Sequence, residues 1–431
     1  MVILDLLRRR APSSPPASRG DGRRSILSRR ITTKGYQENL NSISKEDTMG
    51  KRVFWVLAIF GLGLLGGGLS LSLAAEPIKI GIIQPLSGPV AYDGNNVARG
   101  AQIAVDGANA KGGALDRPLQ LVIEDGQCVP AESVNAAEKL CVRDKVPVIQ
   151  GAFCSSSTGA VMPIIKKYKI PLVTGISTSP KLTEAGNEYF FRAVGTSKLF
   201  ADAFAKAFVN NLKIKRVAYL AVNDDWGRGS SEAFSKAIDA LGGSTATIEI
   251  FDPNETNFYP FLTKIKSLNP DALYVVANTA PAAAIAKQIK EVGLNVKTFG
   301  EGAWTSKTFM DLAGPASEGL YGLVEYSPTI TNDINKKFVE EFKKRHNDVP
   351  DKYSAQGYTV ANIIIEAIQR AGASDPEKIR AALEKTNYKG IAGTYTFSKD
   401  KHQAFNFNIY LVQLRNRVPV IIQEAKIERP E

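Results

Sequence analysis

Residues 146–173 read VPVIQGAFCSSSTGAVMPIIKKYKIPLV. An apolar run at 146–149 gives way to a turn carrying Cys154, Ser155, Ser156, Ser157 and Thr158. A helical stretch follows, and then a second apolar run at 171–173. Short apolar strands with a helix between them describe a strand–helix–strand unit of a parallel sheet. The turn is also a natural anion seat. A helix start leaves several backbone N–H groups unpaired and carries partial positive charge, so a carboxylate can settle there beside a serine or threonine hydroxyl. Ordinary helix capping calls for the same residue types, and the local pattern alone does not separate the two readings.

The same grammar extends outward in both directions. Residues 78–83 and 119–123 are strand-like, and the helical segment 96–110 places Val97, Ala101, Ala104, Val105 and Ala108 on one face. It restarts with a strand at 216–222, a helix at 229–241 and strands at 245–251 and 272–276. The expectation is an α/β fold of two doubly wound lobes with parallel central sheets, for which the chain is long enough.

Residues 49–75 read as a secretory signal peptide. Lys51 and Arg52 precede an apolar run at 53–73, and Ser72-Leu73-Ala74 supplies a small-x-small site for cleavage after Ala74 or Ala75. An uncleaved membrane anchor is the rival, since the run is long enough to span, but its glycines and serines favour cleavage. No cysteine stands at the end of the run, so a soluble periplasmic protein is expected rather than a lipid-anchored one. Residues 1–48 are polar, arginine-rich and proline-containing. They are expected to be untranslated or a disordered extension, with Met49 as the true start and codons for Lys45 to Asp47 able to supply a ribosome-binding purine run.

The formal charge of +11 changes with that assignment. Of 54 Lys and Arg and 43 Asp and Glu, residues 1–48 hold 10 and 5, and residues 49–75 hold 2 and none. The remainder is 42 against 38, or +4. Such mild, interspersed charge offers no basic face for nucleic acid. Enzymatic motifs are missing too: there is no Gly-x-Ser-x-Gly elbow, Walker loop or His-Glu-x-x-His. His346 and His402 lie in polar sequence and are expected to be solvated at the surface. Gly61, Gly63 and Gly66 spell a dinucleotide-binding pattern, but inside the signal run with no strand before it. No catalytic residue, cofactor or metal is expected.

From residue 76 onward the chain resembles the extracytoplasmic leucine-, isoleucine- and valine-binding proteins of ABC transporters. The resemblance rests on IKIGIIQPLSGP at 78–89, NAKGG at 109–113, the serine-rich turn, STSPKLT at 177–183, Phe191-Arg192, NDDWG at 223–227 and Gly300-Glu301. It implies the type I periplasmic binding fold, with crossings between lobes near 194–198, 324–327 and 399–403 forming a three-strand hinge. Lobe one would combine 76–196 with 325–401, and lobe two 197–324 with 402–431. Loops at the carboxyl ends of the strands would then face each other across a closable cleft.

The resemblance also implies residues. Cys128 and Cys154 match positions disulfide-bonded in relatives, which leaves Cys141 for buried apolar packing in a helix at 131–142. Ser155 would donate to a ligand carboxylate and Thr178 would accept from its ammonium, with Ser177 a weaker contributor where relatives usually carry alanine. Glu301 would meet the ammonium from lobe two; without the resemblance it reads as an exposed loop residue between Gly300 and Gly302. Trp226 would lid the cleft. Asp93 stands where close relatives carry an aromatic, so Tyr92 is the candidate to replace the ring, and the loop at 278–280 lacks the expected tyrosines. The implied partners are a small-molecule amino acid, branched-chain or otherwise hydrophobic, and a membrane permease, for a protein acting as a monomer. A sensory receptor of the same fold, or a binder of an amide, urea or aromatic carboxylate, stays open.

Overall fold

Alternation of strand and helix from Ile78 onward builds two sheets in the computed structural model, which describes residues 75–429. The expected extension at 1–48 and all but the last residue of the expected signal peptide at 49–75 lie outside the described residues. The described chain falls within one unit, Leu73–Glu431.

The first sheet holds β1 (Ile78–Gln84), β2 (Leu119–Asp125), β3 (Ile149–Gln150), β4 (Leu172–Thr174) and β5 (Phe190–Arg192). Their order is β2-β1-β3-β4-β5, all parallel. Helices α1 (Ala91–Asn109), α2 (Pro130–Glu138), α3 (Ser155–Tyr168) and the short α4 (Lys181–Glu184) connect these strands. Sheets covered on both faces need strands apolar on both faces, and β1 is buried at every position but Lys79. The strand order reverses between β1 and β3, which opens a crevice at their carboxyl ends. Helix α3 begins there.

After α5 (Ser197–Lys206) the second sheet forms from β6 (Arg216–Val222), α6 (Asp225–Ala240), β7 (Ser244–Phe251), α7 (Tyr259–Ser267), β8 (Ala272–Ala277), α8 (Thr279–Glu291), β9 (Lys297–Gly302), α9 (Lys307–Ala313) and β10 (Tyr321–Val324). Strands run β10-β9-β8-β6-β7 in parallel. The chain then supplies α10 (Asp333–His346), α11 (Lys352–Ala371), which packs along α1, and α12 (Pro376–Leu383). Four antiparallel strands close it: β11 (Tyr388–Gly390), β12 (Gly393–Phe397), β13 (Ala404–Arg415) and β14 (Val418–Ile427). Strand β13, 12 residues long, pairs with β10 toward its carboxyl end and with β12 at its start. Residues 388–397, placed with lobe one by sequence, therefore hydrogen-bond into the second sheet. An isolated bridge between Arg192 and Gln403, just ahead of β13, ties that strand's start back to β5.

Several local expectations shift. Helix α6 begins four residues before the apolar pattern suggests, because the Asp224 carboxylate accepts the Gly227 N–H at 2.7 Å and caps it. The predicted helix at 131–142 is α2 followed by a π-helical turn, Lys139–Arg143, with Cys141 free and buried in it. Burial pushes that thiol up to about 12. His402 is not at the surface. It is buried, stacks on Phe191 with ring centroids 4.1 Å apart, and sets Nδ1 3.3 Å from the Phe190 carbonyl. Packing against β5 holds the ring inward despite polar sequence neighbours, and burial lowers its pKa.

Candidate ligand-binding site

A narrow cavity opens where the carboxyl ends of the two sheets converge. Its wall takes Ser155 from the turn after β3, Thr178 from the loop after β4, Trp226 from the first turn of α6, Asn278 from the end of β8, and Glu301 from β9. Both sheets thus contribute polar groups to one enclosed space.

The Ser155 side of the wall is held by two devices. Cys128 and Cys154 are disulfide-bonded with Cα atoms 5.5 Å apart, so the residue preceding α3 is tied to the loop after β2. Buried Arg192 donates to the carbonyls of Ser177 at 3.2 Å and Ser179 at 2.7 Å and to Thr183 Oγ1 at 2.5 Å, which fixes the loop presenting Thr178. Desolvation lowers this guanidinium to about 9. Ser155 Oγ accepts the Ser179 N–H at 3.3 Å and faces the cavity at the start of the helix.

Glu301 is buried, with 4% of its surface exposed. The sequence alternative of a solvated loop residue fails because Glu301 lies on β9, paired with Val276 of β8 and Leu323 of β10. Its carboxylate accepts from four donors: Trp226 Nε1 at 3.0 Å and Thr178 Oγ1 at 3.4 Å on Oε1, Ser230 Oγ at 2.8 Å and Tyr274 Oη at 2.7 Å on Oε2. Burial and the neighbouring carboxylate push the Tyr274 phenol well above its ordinary pKa, so it remains a donor. Thr178 reaches across from the first sheet's side, and Ser197 Oγ links it at 3.0 Å to Ser230 at 2.5 Å, joining the two halves through hydroxyls.

The flanking glycines shape this presentation. Gly302 has φ +96°, and a Cβ there would stand 2.8 Å from the Trp226 ring and 2.9 Å from the Ala277 carbonyl. Gly302→Ala should therefore displace Trp226 and its hydrogen bond to Glu301. The expected loss of ligand affinity is roughly tenfold, with the far-UV circular dichroism unchanged, as titration calorimetry on the same sample would check.

Two of the sequence candidates lie elsewhere. Ser177 does not line the cavity, because its hydroxyl is consumed between Thr158 Oγ1 at 2.7 Å and the Phe153 carbonyl at 2.8 Å. Tyr92 does not replace the missing ring: it turns away and donates to Asp348 at 3.1 Å. The aromatic wall instead comes from Phe153 and Tyr353, with ring centroids 5.3 Å apart, together with Trp226. Sequence reading missed Phe153, whose φ of +69° turns it into the cavity, and missed Tyr353 and Lys352 at the start of α11.

Asp93, noted as a departure, is fully buried and bridges the two halves, receiving Thr279 Oγ1 at 2.9 and 2.7 Å. Burial raises it to about 7. An unfolded aspartate titrates near 4, so its stabilising share is full below about pH 4 and is lost as pH rises through about 7. Asp93→Asn, which does not titrate, should gain in melting temperature relative to the parent protein between pH 5 and pH 8. Thermal unfolding of both proteins across that range checks the sign. Asp224, also on the cavity wall, is raised by burial to about 6.

Among the described residues, no cluster of three or more His, Cys, Asp or Glu is placed to hold a metal, and no helix is long and apolar enough to cross a membrane. The family model described as periplasmic binding protein matches residues 77–418. The chain belongs to that family. Members bind ligands rather than transform them, and the two parallel-sheet lobes are those of the type I periplasmic binding fold. The chain is 28% identical over 357 residues to the leucine-, isoleucine-, valine-, threonine- and alanine-binding protein of Pseudomonas aeruginosa, covering 82% of this chain and 94% of that one. It is 27% identical to the Leu/Ile/Val-binding protein of Escherichia coli, covering 82% and 96%. The crystal structure of a leucine binding protein from Thermotoga maritima superposes with a TM-score of 0.74 at 28% identity, covering 81% of this chain and 99% of that one.

Proposed function

We propose that this protein captures an amino acid, branched-chain or otherwise hydrophobic, between its lobes and delivers it as a monomer to an ABC permease in the periplasm. The observation that carries the reading is Glu301, a buried carboxylate in the same cavity as the hydroxyl and free N–H groups at the start of α3. A zwitterion has an ammonium for the first and a carboxylate for the second. Of the four donors now on Glu301, Thr178 is the most distant at 3.4 Å and comes from the opposite half, so it is the one an ammonium displaces. Once displaced, Thr178 Oγ1 can accept from the same ammonium. The aromatic walls at Phe153, Tyr353 and Trp226 suit an apolar side chain, and the names of the relatives agree in kind.

Closure follows from the same contacts. Residues 76–196 with 325–401 form one jaw and 197–324 with 402–431 the other, apart from the strand pairing at 388–397. A ligand touching both jaws favours the shut form, because only there do Glu301 and Trp226 reach it. A carboxylate without an amine would set its negative charge near Glu301, which disfavours the aromatic-carboxylate alternative. Export by the leader at 49–75 would bring the protein to the periplasm. Titration calorimetry against the common amino acids tests the reading. Saturable one-site binding at micromolar affinity or tighter is expected, and silence across the whole set would reject it.

A further inference from the structure

Lys352 is a buried cation in the cavity wall that the reading above leaves unused. It is the first residue of α11, its side chain is 10% exposed, and it lines the same space as Ser155 and Glu301. Its ammonium carries three donors. Among the described residues the nearest carboxylate is Glu325 at 3.6 Å, within ion-pair range but beyond a hydrogen bond. Glu325 Oε2 is buried without a hydrogen-bond partner. The ammonium also stands 5.1 Å from the centre of the Tyr353 ring, which forms part of the wall. A desolvated ammonium with unspent donors is costly unless something supplies acceptors, and the cavity is the open side from which acceptors can come.

We infer that Lys352 is a specificity-determining residue that binds a carboxylate of the captured amino acid. This rests on the amino-acid reading above and extends it. The cavity carries a fixed cation as well as the fixed anion Glu301, so both poles of a zwitterion meet a full charge, and the start of α3 adds partial charge and N–H donors. The carboxylate can come from the α position or from an acidic side chain. The position of Lys352 beside Tyr353, which packs on Phe153 just ahead of Cys154-Ser155, suits the α-carboxylate.

The test titrates the full protein calorimetrically with the common amino acids and with the amides of those that bind. Four proteins are compared: the parent, Lys352→Arg, Glu325→Gln, and the double variant Lys352→Met with Glu325→Gln. The double variant removes the cation without stranding a buried carboxylate, and the Glu325→Gln protein is its reference. Thermal unfolding verifies that each is folded. The double variant should bind about thirtyfold more weakly than Glu325→Gln, with Lys352→Arg retaining most of the parent's affinity. The preference for acid over amide should shrink in the double variant, which a merely structural role would not produce. A loss shared by leucine and glutamate assigns the α-carboxylate, and a loss confined to glutamate and aspartate assigns the side chain. Affinity within about threefold of the Glu325→Gln reference for every amino acid overturns the inference. A parent protein that binds no amino acid instead overturns the functional reading beneath it.

Discussion

Glu301→Gln should weaken amino-acid binding by about a hundredfold or more while leaving the protein folded. Each hydrogen bond between charged partners contributes roughly 1.5–3 kcal/mol, and the ammonium would lose a full counter-charge. The amide also creates a local conflict. Trp226 Nε1, Ser230 Oγ and Tyr274 Oη all donate to the carboxylate now. A glutamine NH₂ turned toward either pair would oppose donor to donor, so the hydroxyls would have to reorient. The stability change should be modest, because Gln fills the same volume and removes a buried charge. Calorimetry with leucine measures the first effect and thermal unfolding the second. Affinity within threefold of the parent's would mean that the ammonium binds elsewhere.

Breaking the disulfide should cost stability first and affinity second. Replacing Cys128 and Cys154 by serine opens a cross-link over 26 residues, for which chain entropy predicts about 3 kcal/mol of lost stability. The bridge holds β2's loop against the residue that precedes α3. Without it, Ser155 and the first turn of the helix lose their fixed position, and a several-fold fall in affinity should accompany the lower melting temperature. Treating the parent protein with a reductant should reproduce both effects, whereas Cys141, buried in its π-helical turn, should contribute to neither.

The fold was legible because parallel strands buried on both faces read as unbroken apolar runs. Strands β1, β6 and β8 fall within a residue or two of where the runs at 78–83, 216–222 and 272–276 put them. What sequence blurred was where helices begin. Tyr92 and Asp93 sit in the first turn of α1, ahead of its apolar stripe, so nothing local reveals that Asp93 points inward to Thr279 while Tyr92 turns away. Asp224 three residues before Gly227 was a readable cap that would have placed Trp226 at a helix start.

The serine turn announced itself as a site, but Glu301 did not. Between two glycines it looks like a loop residue, and only the resemblance singled it out; its burial comes from the pairing of β9 with β8 and β10, which no local pattern encodes. Lys352 was harder still. The Asp351–Ser354 capping box marks the start of α11, yet a lysine in a first turn is usually solvated. Its inward position depends on α11 packing along α1, a contact between segments some 250 residues apart. Ser177 shows the converse, since a hydroxyl in the right motif is spent on Thr158 and the Phe153 carbonyl.

The central claim is that Glu301 receives the ammonium of an amino acid whose carboxylate is held at the other pole of the cavity. Calorimetric titration of the parent protein with leucine and with 4-methylpentanoate, which is leucine without its amine, tests it most directly. The account predicts binding of leucine with the deaminated acid about a hundredfold weaker or undetectable; equal affinity for the two would contradict it.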